Sequence, residues 1–179
     1  MGNIYIFRGI AGTGKTTLTD ILAKKLSIPV FHKDDIVDAL IMTEDISDKE
    51  RTSTVCYNIL CKIAQTHLDL HLDFIMDIGL GNKNKLKWFL DRLDFKDNKI
   101  FRFLIICSDE KEWERRHIER IKNPLPRQLF NSLEHVKEHY KNADMIPFEN
   151  EYVIDNVETI EKSFGNILDI INASSTTKI

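Results

Sequence analysis

Apolar residues follow two alternating rhythms along the chain. Short continuous runs of β-branched and aromatic residues, as in strands buried on both faces, fall at residues 4–8 (Ile-Tyr-Ile-Phe-Arg), 29–32, 74–77 (Phe-Ile-Met-Asp), 100–107 and 152–154. Helical spacing fills the intervals. Leu18, Ile21, Leu22 and Leu26 predict a helix over 15–26, stopped by Ser27-Ile28-Pro29, and Ile36, Ala39 and Leu40 predict another, entered through Asp34 and Asp35. Over 53–72, Val55, Ile59 and Ile63 form one row and Leu60, Ala64, Leu68 and Leu72 the next, a wide apolar stripe for packing on a sheet. Further helices are expected at 82–93, from Ser108 or Asp109 to 122, at 127–142 and at 158–171, with residues 173–179 fraying. Five strands alternating with helices predict an α/β fold: a five-stranded parallel sheet with helices on both faces and right-handed crossovers.

At 179 residues with 42% hydrophobic content, the chain is the size of one domain, expected over 1–172. Its net charge of −3 is spread through interleaved acids and bases, so neither nucleic acid nor an anionic membrane is an expected partner. No apolar run approaches the roughly 20 residues that span a bilayer. The first residues read as a strand rather than a signal peptide, and Cys56, Cys61 and Cys107 form no CxxC pair. A cytoplasmic location is the expectation, and oligomeric state is not readable.

The chemistry concentrates at Gly9-Ile10-Ala11-Gly12-Thr13-Gly14-Lys15-Thr16, which satisfies G-x-x-x-x-G-K-[ST] between a strand and a helix. In such a P-loop, glycines let backbone N–H groups turn around phosphate oxygens at the positive end of the following helix. Lys15 is then expected at the β- and γ-phosphates of ATP and the Thr16 hydroxyl on Mg²⁺, with Thr17 adjoining the nucleotide. Asp77 ends an apolar strand, where open α/β sheets gather ligands, and suits a Mg²⁺-bound water. Arg116 and Arg120 lie four apart on one helical face ahead of the break Asn123-Pro124-Leu125-Pro126-Arg127, an arrangement suited to a closing lid over about 121–142.

P-loop, acid after the second strand, strand-ending Asp77 and R-x-x-x-R before a lid together resemble the nucleoside-monophosphate-kinase superfamily. More narrowly, the chain is similar to the shikimate-kinase, gluconate-kinase and zeta-toxin-like small kinases, from Asn3 to about Asn172. The resemblance implies a three-layer P-loop fold and phosphoryl transfer from MgATP. It puts Arg116 on adenine, Arg120 and the lid's Arg127 at the transferring phosphates, and Asn156 and Val157 near the base. An acceptor-side acid falls on Asp34 or Asp35, with Asp34 nearer the strand. True nucleotide kinases carry an arginine where this chain has Val37 and follow the strand-three aspartate with Gly-Phe-Pro-Arg, where it has Ile78-Gly79-Leu80-Gly81. Without cations at those places, the expected acceptor is a small hydroxyl compound rather than a nucleoside monophosphate.

Other strings suggest rival chemistry. His135-Val136-Lys137-Glu138-His139 matches an inverted zinc-protease motif, but such a protease needs a third ligand well downstream, and only 40 residues remain, most of them assigned to a strand and a closing helix. His67 and His71 are expected as helix-surface residues. A GTPase would need Asn-Lys-x-Asp, and the nearest string is Asn82-Lys83-Asn84-Lys85. A regulatory ATP-binding module remains an alternative to an enzyme, as does a nucleoside or nucleotide kinase.

Overall fold

The computed structural model describes residues 1–43, 49–123 and 130–176. Five strands form one parallel sheet: β1 (Asn3–Arg8), β2 (Val30–His32), β3 (Phe74–Ile78), β4 (Lys99–Ile106) and β5 (Tyr152–Asp155), in the order β2-β3-β1-β4-β5. The helices among the described residues are α1 (Lys15–Leu26), α2 (Lys33–Thr43), α3 (Lys49–Asp69), α4 (Lys83–Leu90), α5 (Glu110–Lys122), α6 (Leu133–Tyr140) and α7 (Ile160–Thr176). No described helix is long and apolar enough to cross a membrane.

Because successive strand residues point to opposite faces, β1 feeds two cores. Ile4 and Ile6 join Leu60, Ala64 and Leu68 of α3 and Leu86 and Phe89 of α4. Tyr5 and Phe7 join Leu18 and Leu22 of α1 and Ile167 and Ile171 of α7. On that second face, Tyr5 stacks on its register neighbour Phe101 at 5.1 Å and Phe7 on Phe103 at 4.8 Å.

The structure revises the expected pattern at several points. The buried stripe of α3 runs through Cys56, Tyr57, Leu60, Cys61, Ala64 and Leu68, whereas Val55 and Leu72 are exposed. Helix α3 stops at Asp69, so His71 lies beyond it with φ 54° and bonds Asn98, while His67 is half-buried and packs against Phe31 and Phe74. Helices α4 and α6 are shorter than expected, and α7 continues to Thr176. Asp109, not Ser108, caps α5, accepting from the N–H groups of Lys111 and Glu112. Asn82, the first residue of the string nearest to a guanine motif, is the cap of α4. His135 and His139 surround Phe130, and no metal-binding cluster of His, Cys, Asp and Glu occurs among the described residues.

By the alternation of β1, Arg8 falls on the face of Ile4 and Ile6, where it is fully buried. Its Nε and Nη2 donate to the two carboxylate oxygens of Glu151, each at 2.7 Å, and Nη2 also to the Ile146 carbonyl at 2.8 Å. This bidentate pair ties the segment before β5 to the residue that enters the P-loop. Removing one partner strands a charge, at a cost of about 3–5 kcal/mol. Glu151→Leu should therefore lower unfolding free energy in urea by about that amount, and adding Arg8→Met should recover part of the loss. Equal losses in the single and double variants would reduce the pair to ordinary packing.

Candidate active site

The site forms where β1, β2 and β3 end. Strand β1 delivers the chain into the Gly9–Gly14 turn, and α1 begins at Lys15 with Gly14 as its N-cap, no side-chain cap and no acid in its first turn. The first N–H groups of α1 thus face the turn without a side-chain competitor, at the positive end of the helix dipole. Gly12 and Gly14 have φ of 81° and 88°, a left-handed conformation that penalises any side chain. Space is closed too: a Cβ on Gly12 would sit 2.5 Å from His117 Nε2, and one on Gly14 2.2 Å from Asn156 Nδ2.

Side chains hold the loop by its carbonyls. Ile10 O accepts from the Thr13 hydroxyl at 3.0 Å and from Lys15 Nζ at 3.1 Å. Ala11 O accepts from the Trp113 indole at 2.9 Å and lies 3.1 Å from His117 Nε2, which must carry the proton because a carbonyl only accepts. Burial holds His117 below its ordinary pKa, in keeping with that neutral tautomer. Thr13 O accepts from Asn156 Nδ2 at 2.9 Å, and the Ser163 hydroxyl donates to Asn156 Oδ1 at 2.9 Å. Lys15 is buried, which lowers its pKa, and the carboxylates of Asp77 and Asp34 act against that shift.

Asp77 is buried at the end of β3, in register with His32 of β2. Its Oδ2 accepts from the Thr16 hydroxyl at 2.7 Å and lies 3.1 Å from His32 Nδ1, while His32 Nε2 lies 3.0 Å from Asp20 Oδ1. Two carboxylates flanking one imidazole raise the His32 pKa, the hydrogen bond to Asp77 being the largest cause. For Asp77, burial favours the neutral acid, yet His32, Lys15 and Thr16 together outweigh it and keep the carboxyl below its usual range. Since the Thr16 hydroxyl spends its proton on Asp77, its lone pairs remain for a cation. This donor set fits an oxygen-seeking ion such as Mg²⁺, with Thr16 and Asp77 as the holding residues.

On the lid side, Arg116 donates to Glu112 Oε1 at 2.8 Å and to the Asn156 carbonyl at 2.6 Å. Arg115 and Arg116 draw the Glu112 carboxyl down to about 2. Arg116 lines an open cleft of about 280 Å³ with Gly12, Gly14, Thr17, Asn156 and Ile160. Val157 is half-buried beside it in sequence. Arg120, one turn on, is exposed and makes no hydrogen bond or ion pair among the described residues, while its charge acts on Lys15, His117 and Tyr140.

Asp34 and Asp35 are both exposed in the first turn of α2. They face differently: the charge of Asp34 acts on Lys15, Tyr57 and Tyr140, and that of Asp35 on His32. Thus Thr16 and Asp77 touch, the charges of Asp77, Asp34 and Arg120 reach Lys15, and Thr17, Arg116 and Asn156 line the cleft. Arg127 and both hinge prolines lie outside the described residues.

The side chains that sequence reasoning overlooks are those gripping the loop from outside. Trp113 and His117 are legible only as the two buried residues, four apart, of an otherwise charged α5. His32 ends a strand beside the acids already singled out. Nothing in the sequence marks Tyr140, whose hydroxyl accepts from Ala11 N–H at 3.2 Å across 129 residues.

A family model described as an AAA domain matches residues 4–140 of the chain. No curated protein sequence matches it. Among solved structures, a sugar kinase from Janibacter sp. superposes with a TM-score of 0.68 at 12% identity, covering 96% of this chain and 95% of the other. The thymidylate kinase of Candida albicans gives 0.65 at 16%, covering 97% and 92%. Shikimate kinase from Aquifex aeolicus gives 0.54 at 19%, covering 98% and 99%. At such identities these likenesses speak for the fold alone. The chain belongs to the AAA domain family, and its fold is that of the nucleoside-monophosphate-kinase-like P-loop proteins that its sequence resembles.

Proposed function

We propose that the protein is an ATP-dependent phosphotransferase that moves the γ-phosphoryl group of MgATP to a hydroxyl of a small molecule lacking a nucleotide phosphate. The observation that carries this reading is the Thr16–Asp77 pair beside a buried Lys15 on which the charges of Asp77, Asp34 and Arg120 act. A loop and helix end that offer only donors suit phosphate oxygens, and an opposed carboxylate suits a hydroxyl. MgATP, when bound, supplies the phosphoryl group and part of the charge neutralisation. Lys15 and Arg120 counter the charge of the transferring group, Asp34 orients the acceptor hydroxyl, and Thr16 and Asp77 hold the metal. Arg127 would join the phosphate contacts from the lid. Arg116, Asn156, Val157, Thr17 and the loop residues Gly9 to Gly14 form the nucleotide side.

The acceptor side supports a phosphate-free substrate. Val37 is apolar, Leu80 is buried in the core, and Gly79 is exposed without a cation. Of the lysines beyond that loop, Lys83 sits over the Phe148 ring and Lys87 pairs with Asp91. One observation favours the nucleotide-kinase alternative: Lys33, 3.4 Å from Asp34, stands close enough for its charge to act on Lys15 and is the cation a phosphorylated acceptor would recruit.

A panel of phosphate-free alcohols, sugars and hydroxy acids beside AMP, CMP, UMP, GMP and dTMP decides between them. ADP release above the no-acceptor rate is expected with a member of the first group, and efficient turnover of any monophosphate would install the alternative. Lys15→Ala should lower kcat/KM by about a hundredfold or more while circular dichroism stays unchanged. Thr16→Ala should shift the Mg²⁺ titration to higher concentration, and superimposable titrations would remove Thr16 from the metal site. Arg116→Ala should chiefly raise the KM for ATP and Arg120→Ala chiefly lower kcat, each by about tenfold or more. Constants within about twofold of wild type would class both arginines as solvated helix charges.

A further inference from the structure

Tyr140 ends α6 and reaches the phosphate loop from outside. Its phenolic oxygen accepts from Ala11 N–H at 3.2 Å, which leaves its own O–H without an acceptor among the described residues. The ring is held by neighbours, with Phe130 at 5.8 Å and His139 edge-on at 4.7 Å between centroids. On the other side of the same residue, Trp113 and His117 fix the Ala11 carbonyl. Ala11 N–H shares its peptide plane with the Ile10 carbonyl, which the Thr13 hydroxyl and Lys15 Nζ pin, so it is not free to turn elsewhere, and the donor it would have given a ligand is passed to the hydroxyl of Tyr140. The nearby charges are Asp34 and Arg120, and burial raises the pKa of the phenol.

We propose that the Tyr140 hydroxyl is a binding contact for the transferring group, donating its proton to a terminal oxygen of the γ-phosphoryl while Ala11 N–H polarises it from behind. This rests on the reading of the loop as a MgATP site and adds a specific consequence: Tyr140 senses the third phosphate and not the second. The residue therefore discriminates a nucleoside triphosphate from a diphosphate.

Isothermal titration of the full chain with MgADP and with the β,γ-imido analogue of MgATP tests it in wild type and Tyr140→Phe. Phenylalanine keeps the ring among Phe130 and His139 and removes only the hydroxyl. The expected result is a rise of about tenfold in the analogue's Kd with the MgADP Kd within about twofold. Equal weakening of both nucleotides would mean that the hydroxyl only shapes the loop, and no weakening of either would mean that it touches no phosphate; both results overturn the inference. Wild type that binds neither nucleotide brings down the MgATP reading itself, a failure visible before any variant is compared. Loop integrity is read in a Trp88→Phe background, where Trp113 is the remaining indole and bonds the Ala11 carbonyl. Without ligand, its emission should be the same before and after the Tyr140→Phe substitution, and a shifted spectrum would assign the hydroxyl to loop structure and overturn the inference.

Discussion

Everything at the candidate site depends on keeping one loop turned so that its Ile10, Ala11 and Thr13 carbonyls meet the side-chain donors around it. A chain left to itself resists this, because the turn needs left-handed residues and gives up the usual pairing of backbone groups. Here the Ile10, Ala11 and Thr13 carbonyls are taken by side chains from the loop itself, α1, α5 and the turn after β5. Each such bond contributes only about 1 kcal/mol, but leaving a buried carbonyl unmet costs more, so the loop has one favoured arrangement. The glycines fit the same logic: at Gly12 and Gly14 the volume a methyl group would need is filled by His117 and Asn156, the residues that do the anchoring.

The sheet order makes that anchoring feasible. Since β1 lies between β3 and β4, the loop that leaves it has the end of β3 on one side and the end of β4 on the other. Strand β3 contributes Asp77, while β4 leads into α5 with Trp113, Arg116 and His117. Strand β5, beyond β4, ends next to Asn156. Parallel strands bring all their carboxyl ends to one edge, so residues far apart in sequence meet around a single short loop.

Charge is managed in opposite ways at the two ends of the loop. At its entrance, Arg8 and Glu151 neutralise each other in full burial and give the loop a fixed base. At its exit, Lys15, Asp77 and His32 form an unequal network in which hydrogen bonds from His32 and Thr16, together with the nearby Lys15 and His32 charges, outweigh the desolvation of Asp77. The first pair is sealed and serves packing. The second belongs to the candidate active site, with the lone pairs of Thr16 turned away from Asp77, and that is the difference between a structural ion pair and a candidate ligand site.

The sequence by itself determined the alternation of five strands with helices, the P-loop and the extent of α1, because continuous apolar runs, 3.6-residue periodicity and a glycine-lysine motif are local signals. It also singled out Thr16 and Asp77, whose side chains meet at 2.7 Å. What it could not give was the set of partners. The stripe of α3 departs from the apolar pattern because Val55 and Leu72 are apolar but exposed, while Cys56, Tyr57 and Cys61 take the buried places. The roles of His32, Trp113, His117 and Tyr140 follow from strand order and helix docking, which set distances across the fold and leave no periodic trace. Asn156, which the family resemblance puts near a base, has its amide committed to Thr13 and Ser163, because a buried amide must satisfy its donors and acceptor with whatever packing brings near.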